Sequence, residues 1–202
     1  MLAMTEHITE ALSQVKRLQD MLLHRQKFAG YSGPARMISG AAALASAYIL
    51  DSMPYHHMTY LKGWVCLMVF SLILNYVSLG RWFLYDPMVE RRWTRLKPAL
   101  EAVPPLVVGG LISLVMVRHE FYFLLYGLWM AMFGLAIIAS RYVLPRYSGW
   151  VGLFYILCGT FFLGYNHLAF SNPWPMGIVF FIGEWVGGLI LLLDHQRGRD
   201  LS

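Results

Sequence analysis

The sequence predicts an all-α, polytopic membrane protein: six transmembrane helices laid out as three hairpins, preceded by a cytoplasmic amphipathic helix. Three observations carry this expectation: the composition, six long apolar stretches, and a lopsided distribution of cations. Of 202 residues, 58% are hydrophobic and 13% charged, with a mean hydropathy of +0.53. Soluble domains are about one quarter charged, so this balance argues against a water-soluble globule. It argues equally against a disordered chain, which could not keep so much apolar surface solvated. Two cysteines in the whole chain exclude a disulfide scaffold and a Cys-rich zinc module.

The apolar stretches are Ala35–Met53, Gly63–Tyr85, Ala99–Val117, Phe121–Ser140, Gly149–Tyr165 and Trp174–Leu193. Each falls within the roughly 17–25 residues that cross a bilayer as helix, and a single span in lipid must satisfy its own backbone hydrogen bonds. The first is the weakest, since its uncharged run is only Met37–Leu50 and is rich in Ala. The short strand-like alternation of a membrane barrel is missing.

Charge placement orients the spans. Of the 16 Lys and Arg, 14 gather around the start of the first segment (Lys16, Arg17, Arg25, Lys27, Arg36), at or after the end of the second (Arg81, Arg91, Arg92, Arg95, Lys97), after the fourth (Arg141, Arg146) and after the sixth (Arg197, Arg199). The other three links hold only Lys62 and Arg118. Under the positive-inside rule both chain ends are expected to be cytoplasmic, with the chain in the plasma membrane. The net charge of +5 is therefore topology rather than a nucleic-acid footprint. The first apolar segment lies behind a charged arm and is expected to stay as an uncleaved anchor. The chain divides into a cytoplasmic arm at 1–33, a transmembrane domain at 34–194 and a cytoplasmic tail at 195–202.

Within the arm, residues Thr5 to Phe28 read as an amphipathic helix. Ile8, Val15 and Leu22 recur on one face, widened by Leu12, Leu18 and Met21, while Lys16, Arg17, Asp20 and Arg25 mark the wet side. Gly30–Tyr31–Ser32–Gly33–Pro34 then breaks it. Such a helix either lies on the anionic inner surface or binds a protein partner or a second copy of the chain.

Glu184 is the most informative polar residue. It is the tenth residue of Pro175–Leu193, close to the bilayer midplane, where a carboxylate costs about 2.5–3.5 kcal/mol and must face protein. Gly183 and Gly187 flank it as a small-residue pair that permits close approach. Asn75, the thirteenth residue of Gly63–Tyr85, lies at matching depth in a stripe with Ser71 and Ser78. The expectation is a hydrogen bond between a neutral Glu184 and the Asn75 amide, serving as polar glue or as a proton or cation site. Glu101 is a second acid near the cytoplasmic interface, and Pro104–Pro105 after it are expected to kink the third helix. Gly127, Ala131 and Gly134 on the fourth helix, with Gly152 and Gly159 on the fifth, read as packing seams.

Four histidines fall on the outer side: His56 and His57 in the first outer link, His119 in the second and His167 in the third. Imidazole suits zinc and copper, and the neighbouring thioethers of Met53 and Met58 favour Cu(I), so convergence of these links would build a metal site. Otherwise they are interfacial or pH-responsive side chains. No cofactor is required by the sequence, and copper or zinc is the ion these residues would take. Hydrolase and phosphate-loop signatures are missing, and no His lies inside a span to hold haem.

The segment Phe28–Ala29–Gly30–Tyr31–Ser32–Gly33 leading into Met37–Tyr48, with the closing Phe180–Phe181–Ile182–Gly183–Glu184, resembles small uncharacterised bacterial six-helix integral membrane proteins. The resemblance implies the six-helix architecture and a bacterial inner membrane, and carries no catalytic residue with it. Some members of that class bear a His in the last helix, where this chain has Glu184–Trp185. The functional expectation is a non-enzymatic sensing or scaffolding subunit working through its basic cytoplasmic face. The alternatives are a small proton- or cation-coupled carrier using Glu184, and an extracytoplasmic metal-binding membrane protein using the outer histidines.

Overall fold

The computed structural model describes residues 31–85, 102–141, 144–165 and 170–199, with the single positions 14 and 100. Among the described residues the chain is all-helical, with six α-helices: α1 Gly33–Asp51, α2 His57–Tyr85, α3 Val103–Arg118, α4 Leu125–Ala139, α5 Ser148–Gly164 and α6 Trp174–Arg199. These follow the apolar stretches closely. The helix expected over residues 5–28 lies outside the described residues, as do Glu101 and His167. α6 continues as helix to Arg199, past the expected end of the sixth span.

Local chemistry sets the boundaries. The Ser32 hydroxyl caps α1 by accepting the Ala35 amide at 3.3 Å, and Pro34 sits in the first turn, where a missing N–H costs nothing. Pro104 and Pro105 do the same for α3: they lie in its first turn, just after the turn at Ala102. At the end of α3, the Glu120 amide donates to the Val117 carbonyl and the Phe121 amide to the Met116 carbonyl. With Glu120 at φ 62° this is a Schellman turn. A single 3₁₀ turn, Tyr122–Leu124, then leads into α4.

α1 packs chiefly on α6 and α4 on α5; α2 lies on α1, α3 on α4, and α5 touches α6. The neighbours therefore run α2, α1, α6, α5, α4, α3. Each hairpin of consecutive helices is in contact, but the tightest seams join different hairpins. Glycine makes those seams. A Cβ on Gly33 would meet the Gly188 carbonyl at 2.6 Å, and one on Gly177 would meet the Ala47 Cβ at 2.5 Å, which also fixes α1 and α6 as antiparallel. Across α4 and α5, Gly134 faces the Gly152 carbonyl and Gly159 faces Gly127 and Ala131. Backbones can approach this closely only where side chains are absent.

Among the described residues three helical stretches are long and apolar enough to cross a membrane: His57–Tyr85, Tyr122–Ala139 and Trp174–Gln196. Val103–Arg118 and Ser148–Gly164 are apolar but shorter. The buried core runs through Tyr60, Trp64, Tyr126, Met130, Tyr155 and Phe170. Outside it, α2 presents Met68, Phe70, Ile73 and Val77 as exposed apolar side chains, and α3 presents Leu111, Leu114 and Val115.

Candidate functional site

The polar centre of the bundle is built by three helices. α6 supplies Glu184, α1 supplies Arg36 and α5 supplies Tyr155. The Arg36 guanidinium donates from Nε to Glu184 Oε2 at 2.9 Å and from Nη2 to Oε1 at 2.7 Å. The Tyr155 hydroxyl donates to the same Oε1 at 3.2 Å and lies 3.4 Å from the Phe180 carbonyl. Arg36 and Glu184 are 6% and 5% exposed and Tyr155 is fully buried, so water does not share in these bonds. A carboxyl accepting on both oxygens from a forked cation has the geometry of an ion pair, and such bidentate bonds are the strong ones.

The residues around Glu184 explain how a guanidinium and a phenol fit beside one helix. A Cβ on Gly183 would collide with the Tyr155 ring, and one on Gly187 would come within 2.8 Å of the Arg36 guanidinium carbon. The two glycines are thus the seats of the two groups that bond the acid between them. Opposite Glu184, Gly40 leaves only 3.0 Å between its missing Cβ and the glutamate Cβ, bringing α1 close enough for Arg36 to reach. Phe133 and Phe180 stack around the Tyr155 ring at 5.0 and 5.1 Å and hold its rotamer.

The expected Asn75–Glu184 pair is not formed. The Asn75 amide donates to the Ser71 carbonyl at 2.8 Å and reaches the Ser39 hydroxyl at 3.5 Å, tying α2 to α1. Ser39 in turn donates to the Ala35 carbonyl at 3.0 Å. Equal depth was the ground for pairing them, but depth does not fix lateral position: α1 stands beside α6, and α2 stands on the far side of α1. Arg36 escapes a reading by charge count because its place at the start of the first span is also where an interfacial cation belongs. A signal was present nonetheless. Arg36, Gly40, Ala43 and Ala47 fall on one helical face, and an arginine in line with a small-residue stripe points toward a packed neighbour rather than headgroups.

At one end of the bundle the three links meet. The His57 ring lies 4.9 Å from Tyr55 and 4.5 Å from Tyr122, and Tyr122 lies 6.0 Å from Phe170. Below them Trp64 donates its indole N–H to the Tyr126 hydroxyl at 3.0 Å, which donates to the Phe170 carbonyl at 3.1 Å. Partial burial, with Tyr60 and Tyr122 nearby, pushes the Tyr55 hydroxyl above the ordinary tyrosine range. His57 is thus packed among aromatic rings, and His119 is stacked on Phe121 at 6.1 Å. His56 is exposed. Among the described residues no three His, Cys, Asp or Glu side chains gather as a metal site. Cys66 and Cys158 are free thiols. No family model, curated protein or solved structure matches the chain.

Proposed function

We propose that this chain is a six-span integral membrane protein with both ends on the cytoplasmic side, and that it acts as a non-enzymatic scaffolding or sensing subunit through its basic cytoplasmic face. The observation that carries the reading is the closure of Glu184: two guanidinium bonds and one phenol bond occupy the acid inside a glycine-lined seam. An acid held in this way works as a clamp between α1, α5 and α6. A carrier would need it to exchange its proton or cation with water, so the geometry favours the structural part over transport.

The antiparallel α1–α6 seam supports the placement of both chain ends on one side, and the meeting of the three links at the opposite end supports alternating spans. The cations then crowd on the face that carries the arm, where they would meet anionic lipid or an acidic protein surface. Deleting residues 1–30 tests the role. With the six helices retained in the membrane, the truncated chain is expected to lose the proteins that co-purify with the full chain, as read by mass spectrometry of detergent extracts. An unchanged profile would contradict a scaffold acting through the arm.

A further inference from the structure

We propose that α1 is a dependent span: α6 holds it across the bilayer, and the Arg36–Glu184 pair is the catch that fixes it there. The inference rests on the six-span reading above. α1 has 19 residues, enough to cross by length, yet it is not among the helices apolar enough to do so. Its buried face is Gly33, Ala35, Arg36, Ser39, Gly40, Ala43, Ala47 and Leu50, small or polar except at its end. That face has little to offer lipid and is covered by α6.

Where the Arg36 guanidinium is held is the second observation. Near a helix end an arginine ordinarily snorkels to the nearer interface. Register places Arg36 about level with Gly188, because Gly33 meets the Gly188 carbonyl and Gly40 meets Glu184. The guanidinium instead lies against Gly187 and bonds Glu184, about one turn further from the end of the bundle. It gives up the interface for one carboxylate, and the two partners are 148 residues apart in the chain. The first span therefore lacks its counter-charge until the last has been made, and Glu184 in turn enters the membrane with its cation already waiting. The catch makes α1 stable beside α6 and weak without it.

The test uses the full chain with Cys66→Ala and Cys158→Ala and one reporter, either Tyr55→Cys in the α1–α2 link or Ser171→Cys before α6. Spheroplasts of an expressing bacterium are treated with a membrane-impermeant maleimide. The parent is expected to label at both positions from outside. Glu184→Leu should cut labelling at position 55 by about fivefold or more, as an unpaired buried charge dictates, while position 171 still labels. Arg36→Leu combined with Glu184→Leu should restore it, since an apolar pair needs no catch. Labelling of Glu184→Leu at position 55 equal to the parent overturns the proposal. Should Glu184→Leu lose both labels, the double variant decides: recovery supports the catch, and no recovery overturns it. A parent that does not label from outside refutes the six-span reading instead, so the two failures are distinct.

Discussion

At the scale of single residues, the bundle places its few polar groups where neighbouring atoms have been removed to receive them. Gly183 and Gly187 make room for Tyr155 and Arg36, and Gly40 lets α1 approach Glu184. Truncating one partner of such a buried pair strands the other charge and costs about 3–5 kcal/mol, whereas replacing both by apolar groups is often neutral. Glu120 is the opposite case, a residue without a reason to be what it is. It occupies the left-handed position of the α3 Schellman turn at φ 62°, with its side chain exposed. A non-glycine residue there pays about 1–2 kcal/mol of strain, part of which glycine returns as unfolded-chain entropy. Glu120→Gly is therefore expected to stabilise the protein by about 0.5–1 kcal/mol and Glu120→Val to destabilise it. Thermal unfolding in detergent should rank glycine above the parent and valine below it; the reverse order would remove the Schellman assignment.

At the scale of elements, stability is concentrated in two antiparallel seams, α1 with α6 and α4 with α5. Gly177 tests the first. A methyl there would lie 2.5 Å from the Ala47 Cβ and 3.1 Å from the Ala43 carbonyl, neither of which can rotate away. Gly177→Ala should cost about 1–3 kcal/mol by overpacking. Gly110 on α3, whose added Cβ would meet nothing within 4 Å, is the control. Gly110→Ala should be neutral or gain up to about 1 kcal/mol of helix propensity. Equal melting points for the two variants would mean the α1–α6 seam does not exist as drawn.

The same elements show what sequence can and cannot supply. Helix positions were legible because apolar length is a local property, and so were the α4–α5 glycines, which mark close approach wherever it occurs. Which helices become neighbours was not. The small-residue stripe in line with Arg36 marks a packed neighbour without saying which helix it is, and the answer depends on α1 inserting between α2 and α6.

At the scale of the whole molecule, the medium decides the sign of an exposed substitution. Ile73 lies midway along α2 and is 59% exposed, among Phe70, Tyr76 and Val77, which are exposed as well. In water such a face would be an aggregation liability, and Ile73→Lys would improve solubility at no cost to the fold. In hydrocarbon the same lysine costs about 2.5–3.5 kcal/mol at the centre of a span and cannot reach either interface. The six-span reading therefore expects Ile73→Lys to lower the amount of protein that remains in membranes after carbonate extraction by at least about tenfold, with the loss going to degradation. Leu84→Lys, near the end of α2 and also exposed, should be tolerated, because its ammonium can snorkel to headgroups. A lysine accepted equally at both positions would mean that lipid does not cover the exposed apolar face of α2, and would overturn the span.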